Sequence, residues 1–148
     1  MIQPILNYNN KKDKEILSSI SNKVEDITSE EVKTTIQDLK DTLAAAKLGK
    51  GLSAIQIGVP LCICVCSWYN KEIIMINPTI TRSRGETEFL EGCLSIPHQY
   101  KKIKRAQKVW CNYLNEKGEL CEIAEGGRMS DIIQHEIDHM KGICKIYE

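Results

Sequence analysis

The chain has 148 residues with 20 basic and 20 acidic side chains, so its formal charge is zero. That length suits one domain with a real core, and the charge balance forces no broad basic surface, so nucleic acid is not an obvious partner. No apolar run approaches the ~18 residues needed to cross a bilayer, and residues 1–10 show no secretory or transit pattern, so a cytoplasmic protein is expected.

The first 27 residues are polar and weakly patterned, and no element is assigned there. Thr28-Ser29-Glu30-Glu31 has the form of a capping box. Val32, Ile36, Leu39, Leu43 and Ala46 come next at helical spacing, and Gly49 is a stop, which predicts an amphipathic helix over roughly 29–47. Residues 49–60 are rich in small side chains, as where backbone passes close to a ligand or another segment. Residues 61–68 and 72–76 read as strands around a turn at Tyr69-Asn70-Lys71. In the first of them Cys62, Cys64 and Cys66 share one face, while Leu61, Ile63 and Val65 share the other. Both faces read as buried, so the three thiols are expected to pack as small hydrophobes rather than clip a metal. Seven cysteines without a secretory leader also argue against a disulfide framework.

Asn77-Pro78 is expected to break the second strand, with a further one over 79–82 before Gly85. Residues 108–114 and 119–124 form a hairpin around Asn115-Glu116-Lys117-Gly118. After Gly126-Gly127 a helix runs from Arg128 to about Lys141, and Met129, Ile132, Ile133, Ile137 and Met140 cover most of its circumference, which marks it as buried. The expected fold is one α+β domain over 1–148: antiparallel strands around a buried C-terminal helix, with an N-terminal amphipathic helix.

That last helix carries His135-Glu136-Ile137-Asp138-His139. The two histidines lie one turn apart on one face and can share a metal ion, with Glu136 beside them as a proton acceptor. A catalytic site of this kind keeps three protein ligands and one open position. The tail after His139 is short, and the third ligand is sought upstream, among Cys93, His98, the other cysteines and the carboxylates. Cys93 fits best, because Gly92 lets backbone approach the ion and Pro97 stiffens the segment beyond it. A Cys, His, His set suits Zn²⁺ or Fe²⁺. Such an ion lowers the pKa of bound water toward about 7, and Glu136 would pass the water proton to a leaving nitrogen. A developing oxyanion needs donors. The Gln56 amide and a backbone N–H near Cys93 could supply them, although from spacing alone Gln56 reads as an ordinary surface or sheet-edge residue.

Three ordered segments resemble the peptide deformylase motifs G-Φ-G-Φ-A-A-x-Q (Φ apolar), E-G-C-L-S and H-E-x-D-H. They are Gly49-Lys50-Gly51-Leu52-Ser53-Ala54-Ile55-Gln56, Glu91-Gly92-Cys93-Leu94-Ser95 and His135-Glu136-Ile137-Asp138-His139. Ile76-Asn77-Pro78 and Lys104-Arg105-Ala106 also resemble family segments, and the likeness spans roughly 30–145. It implies an α+β fold and removal of formate from the N-terminal formyl-methionine of new proteins. It implies Cys93, His135 and His139 as metal ligands, Glu136 as general base, and Gln56 with the Leu94 N–H as holders of the formyl oxygen. Gly51 matches the position where backbone flanks the substrate. The implied ion is Fe²⁺, with Zn²⁺, Ni²⁺ or Co²⁺ as substitutes. The implied partners are N-formylated nascent polypeptides, with at most a transient ribosome contact, since the family's C-terminal docking extension does not follow the metal helix.

Three departures bear on the substrate pocket. Lys50 replaces an apolar residue, Ser53 an Ala, and Asp131 an apolar residue of the methionine pocket; Lys50 and Asp131 either pair there, which would weaken the preference for methionine, or both point to solvent. Tyr100 stands where many members have an Arg near the substrate backbone. Glu91 either braces the Cys93 loop through Arg105 or is a solvated surface charge; Asp138, facing away from the metal, is either structural support or a solvated helix charge; His98 is expected to be exposed, and Trp68 and Trp110 to pack within strands. The alternatives to a deformylase are a same-scaffold hydrolase with another N-acyl or side-chain preference, a non-catalytic binder of formyl peptides, and a structural zinc or electron-transfer copper site. Structural zinc would need a fourth ligand, for which His98 is the nearest candidate.

Overall fold

A computed structural model describes residues 1–147. In chain order the elements are α1 (Lys11–Leu17), α2 (Glu30–Ala45), β1 (Gly51–Ser53), a short 3-10 helix (Ala54–Ile57), β2 (Ile63–Trp68), β3 (Lys71–Arg84), β4 (Thr87–Cys93), β5 (Ile96–Arg105), β6 (Lys108–Leu114), β7 (Leu120–Gly126) and α3 (Gly127–Met140). The Ser29 hydroxyl caps α2 by accepting from the Val32 N–H at 3.2 Å. The helix then buries Val32, Ile36, Leu39 and Leu43 against Leu52, Ile63, Val65, Ile74 and Ile76.

Those partners lie on one face of a five-stranded antiparallel sheet of order β1-β2-β3-β6-β7. The alternation along β2 and β3 sends Cys64, Cys66, Ile73 and Met75 to the opposite face, where they pack on Ile132, Ile133 and Ile137 of α3. The sheet is therefore sandwiched between α2 and α3, and the alternation of thiols and aliphatics in β2 is the imprint of two cores. β4 and β5 form a separate two-stranded sheet. A third cluster, with Tyr8, Leu17, Ile55, Ile96, Ile103, Cys144 and Ile146, ties the N-terminal segment and the tail to that hairpin. No helix among the described residues is long and apolar enough to cross a membrane.

The α+β architecture, the long helices and the β6–β7 hairpin match the sequence expectation, and three details differ. β3 runs unbroken through Asn77-Pro78, because register shifts between Ile76 and Thr79 absorb the residue that cannot donate. Asn77 takes a φ of 52° there, and its side chain accepts from the Val24 N–H at 2.8 Å and donates to the Val24 carbonyl at 2.9 Å. α1 lies in the weakly patterned N-terminal stretch; it buries only Leu17 and so shows little apolar periodicity. The β4–β5 hairpin carries no strand signal in the sequence because residues 97–102 of β5 are all exposed.

Leu39 is fully buried where α2 meets the sheet. Leu39→Ala is expected to lower the unfolding free energy by about 2–5 kcal/mol, read as a drop in the urea midpoint at unchanged slope.

Candidate metal centre and cleft

β4 ends at Cys93, and the two-residue turn Leu94-Ser95 leads into β5, with Cys93 opposite Ile96. This hairpin end is laid over α3, facing His135 and His139. The Cys93 Sγ lies 3.4 Å from His139 Nε2, and the two histidine Nε2 atoms are 3.1 Å apart. Donors bound tetrahedrally to one ion at roughly 2.0–2.3 Å stand about 3.3–3.6 Å from one another, so the observed spacing fits a single divalent ion. The ring orientations fit as well. His135 Nδ1 meets Glu91 Oε1 at 3.0 Å, which leaves Nε2 to the centre. Burial keeps His139 neutral by lowering its pKa well below the usual value.

Arg105 holds the hairpin to the helix. Its Nε and Nη2 donate to Glu91 at 2.8 and 3.0 Å, and its Nη1 donates to Asp138 at 2.6 Å. Glu91 and Arg105 are almost fully buried. Of the two readings of Glu91 the brace on Arg105 is the one present, and Asp138, turned from the histidines, is its other anchor.

Glu136 is 3% exposed. Burial pushes its carboxyl up to about 7, against the His135 charge and the Ser53 hydroxyl, which both favour the ionised form. The Ser53 hydroxyl lies 2.9 Å from both Glu136 Oε1 and the Glu136 carbonyl. Gly51 runs so close that an added Cβ would stand 2.6 Å from Glu136 Oε2. Gln56 is buried, not at a surface or edge: the Ser53 N–H donates to its Oε1 at 2.9 Å, so Nε2 points to Ser95 Oγ at 3.0 Å and Cys93 Sγ at 3.6 Å. The N-terminal segment fastens both walls, since the Leu6 N–H donates to the Gln56 carbonyl at 2.8 Å and the Tyr8 N–H to the Ser95 carbonyl at 3.0 Å.

A cleft of about 540 Å³ opens on the centre, and Lys50, Gly51, Gln56, Cys93, Leu94, Tyr100, Asp131, His135 and Glu136 all line it. His139 lies beneath, fully buried. Every site residue expected from the sequence thus belongs to one constellation, with one correction to their pairing. Lys50 does not meet Asp131: its ammonium lies 4.8 Å from the Trp68 ring centre, at the exposed rim. Asp131 instead bonds Arg128 at 3.0 Å and stands 3.8 Å from Arg105 Nε. Two guanidiniums on or beside its own helix outcompete a lysine across the cleft. The altered side-chain preference that rested on a Lys50–Asp131 pair loses that basis.

His98 is exposed and outside the donor group, and Trp68 and Trp110 lie in β2 and β6 away from the cleft. Cys62, Cys64 and Cys66 form no metal clip among the described residues. A fourth donor comes from downstream, outside the upstream candidates: Cys144, in the tail, lies with Cys93, His135 and His139 in a group whose ligand atoms are all within 4.8 Å of one another. Its signal in the sequence is a thiol five residues beyond His139. The hydrogen bond that Ser53 gives to Glu136 is equally invisible in the sequence, because a hydroxyl in a small-residue segment has no distinctive spacing.

An α+β scaffold that brings a cysteine sulfur to an H-E-x-x-H helix at the floor of a cleft defines a metal-dependent hydrolase. The chain belongs to the polypeptide deformylase family, whose model matches residues 2–147. A peptide deformylase of Aquifex aeolicus is 42% identical over 149 aligned positions, covering 97% of this chain and 85% of the relative. The crystal structure of a peptide deformylase from Legionella pneumophila superposes with a TM-score of 0.90 at 39% identity, covering 97% of this chain and 83% of that one. The peptide deformylase structure from Thermotoga maritima gives 0.90 at 28% identity over 100% and 97%.

Removing Arg105 leaves the buried Glu91 and the half-buried Asp138 without their shared guanidinium, while Asp131 keeps Arg128. Arg105→Met is therefore expected to cost about 3–5 kcal/mol of folding free energy, measured by denaturant unfolding of the metal-free chain.

Proposed function

We infer that the cleft takes the formylated N-terminus of a newly made polypeptide in the cytoplasm and that Glu136 moves the proton in its hydrolysis. One observation carries this reading: the buried Glu136 carboxyl lies beside the Cys93, His135, His139 donor set at the floor of an open cleft. Cys93, His135 and His139 would hold a divalent ion, which would supply polarisation of the formyl carbonyl and acidify a water for attack near neutral pH. Glu136 would take a proton from that water as its oxygen bonds to the formyl carbon, then give the proton to the amide nitrogen as the C–N bond breaks, leaving formate and a free amine. The Gln56 Nε2 and the Leu94 N–H donate to the formyl oxygen as negative charge grows on it. The Ser53 bonds to Gln56 and Glu136 fix the donor and the base relative to each other before substrate arrives. Gly51, Lys50 and Tyr100 line the walls along which the peptide backbone runs, and Asp131 closes the floor for the first side chain. Fe²⁺ is the native ion in this reading, with Zn²⁺, Ni²⁺ and Co²⁺ as working substitutes.

A binding module or a copper centre would give the buried Glu136 and its Ser53 partner no task, which is why hydrolysis is favoured over both. The test is to purify the chain anaerobically, measure its metal content, and follow formate release from a formyl-methionyl peptide. Turnover with about one ion per chain is the expected result, and bound metal with no hydrolysis of any N-acyl peptide defeats the reading. Glu136→Ala should keep the ion and lose about 10²–10⁴-fold in turnover, whereas Cys93→Ala should release the ion.

Gly51→Ala places a methyl against the Glu136 carboxylate. The expected outcome is a fall in kcat with metal content and circular dichroism unchanged, because the base is displaced and the donors are not.

A further inference from the structure

Cys144 is the one donor at the centre that the hydrolysis above leaves without a task. The chain reverses after α3 at Gly142, whose φ is 74° and where a side chain would run into the Ser18 carbonyl. The returning tail is pinned by the Gly142 N–H on the His139 carbonyl at 3.1 Å and the Ile143 N–H on the Asp138 carbonyl at 3.0 Å. Farther along, Tyr147 stacks on Tyr8 with ring centres 4.7 Å apart. This turn delivers Cys144, 5% exposed, to the underside of the centre. Its Sγ lies within 4.8 Å of the ligand atoms of Cys93, His135 and His139. It does not line the cleft, so it approaches from the core.

Two thiols and two imidazoles are the donor set of a closed tetrahedral zinc site, in contrast to the three donors and open position of a hydrolase. Soft thiolate donors bind such ions strongly, and a buried thiol so close to the ion has little reason to stay protonated. We propose that Cys144 is a fourth protein ligand, which makes the resting centre Cys₂His₂. On metal loading its S–H proton leaves to solvent and the sulfur lone pair forms the fourth bond. Bound there, the Cys144 sulfur would compete with water for the fourth position, so the residue would tighten metal binding and restrain turnover. This rests on Cys93, His135 and His139 being the metal ligands.

The experiment loads the intact chain, Cys144→Ala and Cys144→Ser with Co²⁺ under anaerobic conditions. It reads the thiolate-to-cobalt charge-transfer absorption and the affinity by competition with a chelator, with far-ultraviolet circular dichroism to confirm folding. The expected result is that the absorption falls by about half in both variants, as one of two sulfur ligands is lost. Affinity should fall roughly tenfold or more, since even outer partners of a metal ligand are worth that much. Formate release by the fully loaded variants should exceed that of the parent. Absorption and affinity unchanged in a folded variant overturn the proposal, and the isosteric Cys144→Ser decides if Cys144→Ala does not fold. A two-sulfur spectrum together with no formate release in parent or variants leaves the fourth ligand standing and sinks the hydrolase reading. A one-sulfur spectrum in an active parent does the reverse.

Discussion

Arg105 stands in the interior between carboxylates from two separate parts of the chain, Glu91 on β4 and Asp138 on α3. The β4–β5 hairpin shares no ladder with the main sheet, so its position over α3 is set by side chains, and this buried ion-pair network joins the two directly. Bidentate geometry to Glu91 makes the link directional as well as attractive. Burying these charges costs desolvation that an apolar core would avoid, and what the cost secures is position: Glu91 bonds both Arg105 and His135, so one carboxylate aligns the hairpin and orients a ligand imidazole.

The helix motif is readable because metal binding imposes its own spacing on the chain, one turn between His135 and His139. Cys93 is readable because Gly92 and Pro97 mark a loop built for close approach. The two cores are readable from β2, where thiols and aliphatics alternate. Other features leave no such trace. Strand β5 is stabilised by its ladder to β4 and by Ile103 and Arg105 near its end, not by alternating apolar residues. Asn77 hides a bulge as a strand break, because Pro78 looks the same in either setting. Lys50 and Asp131 match by charge sign, yet which opposite charges meet is decided by which helix faces supply nearer partners. Cys144 escapes because a ligand close to His139 in sequence reaches the centre only through the reversal at Gly142.

Ser53 shows how a small departure from a family pattern can be local chemistry. In place of a methyl, its hydroxyl reaches the Glu136 carboxylate, and its backbone N–H sets the Gln56 amide. One residue therefore touches both the proton carrier and the amide donor. A hydroxyl bond that favours the ionised carboxylate also tempers the effect of burial on Glu136.

The sheet face beneath α3 is lined by Cys64, Cys66 and Cys111, each fully buried. Cys66 lies near enough to Glu136 for that carboxylate to help raise its thiol, after the larger effects of Cys64 and burial. These side chains are short, so the helix can settle deep against the strands. The thiols then act as spacers: their size sets the height of α3 above the sheet, and with it the height at which His135 and His139 meet the thiol of Cys93.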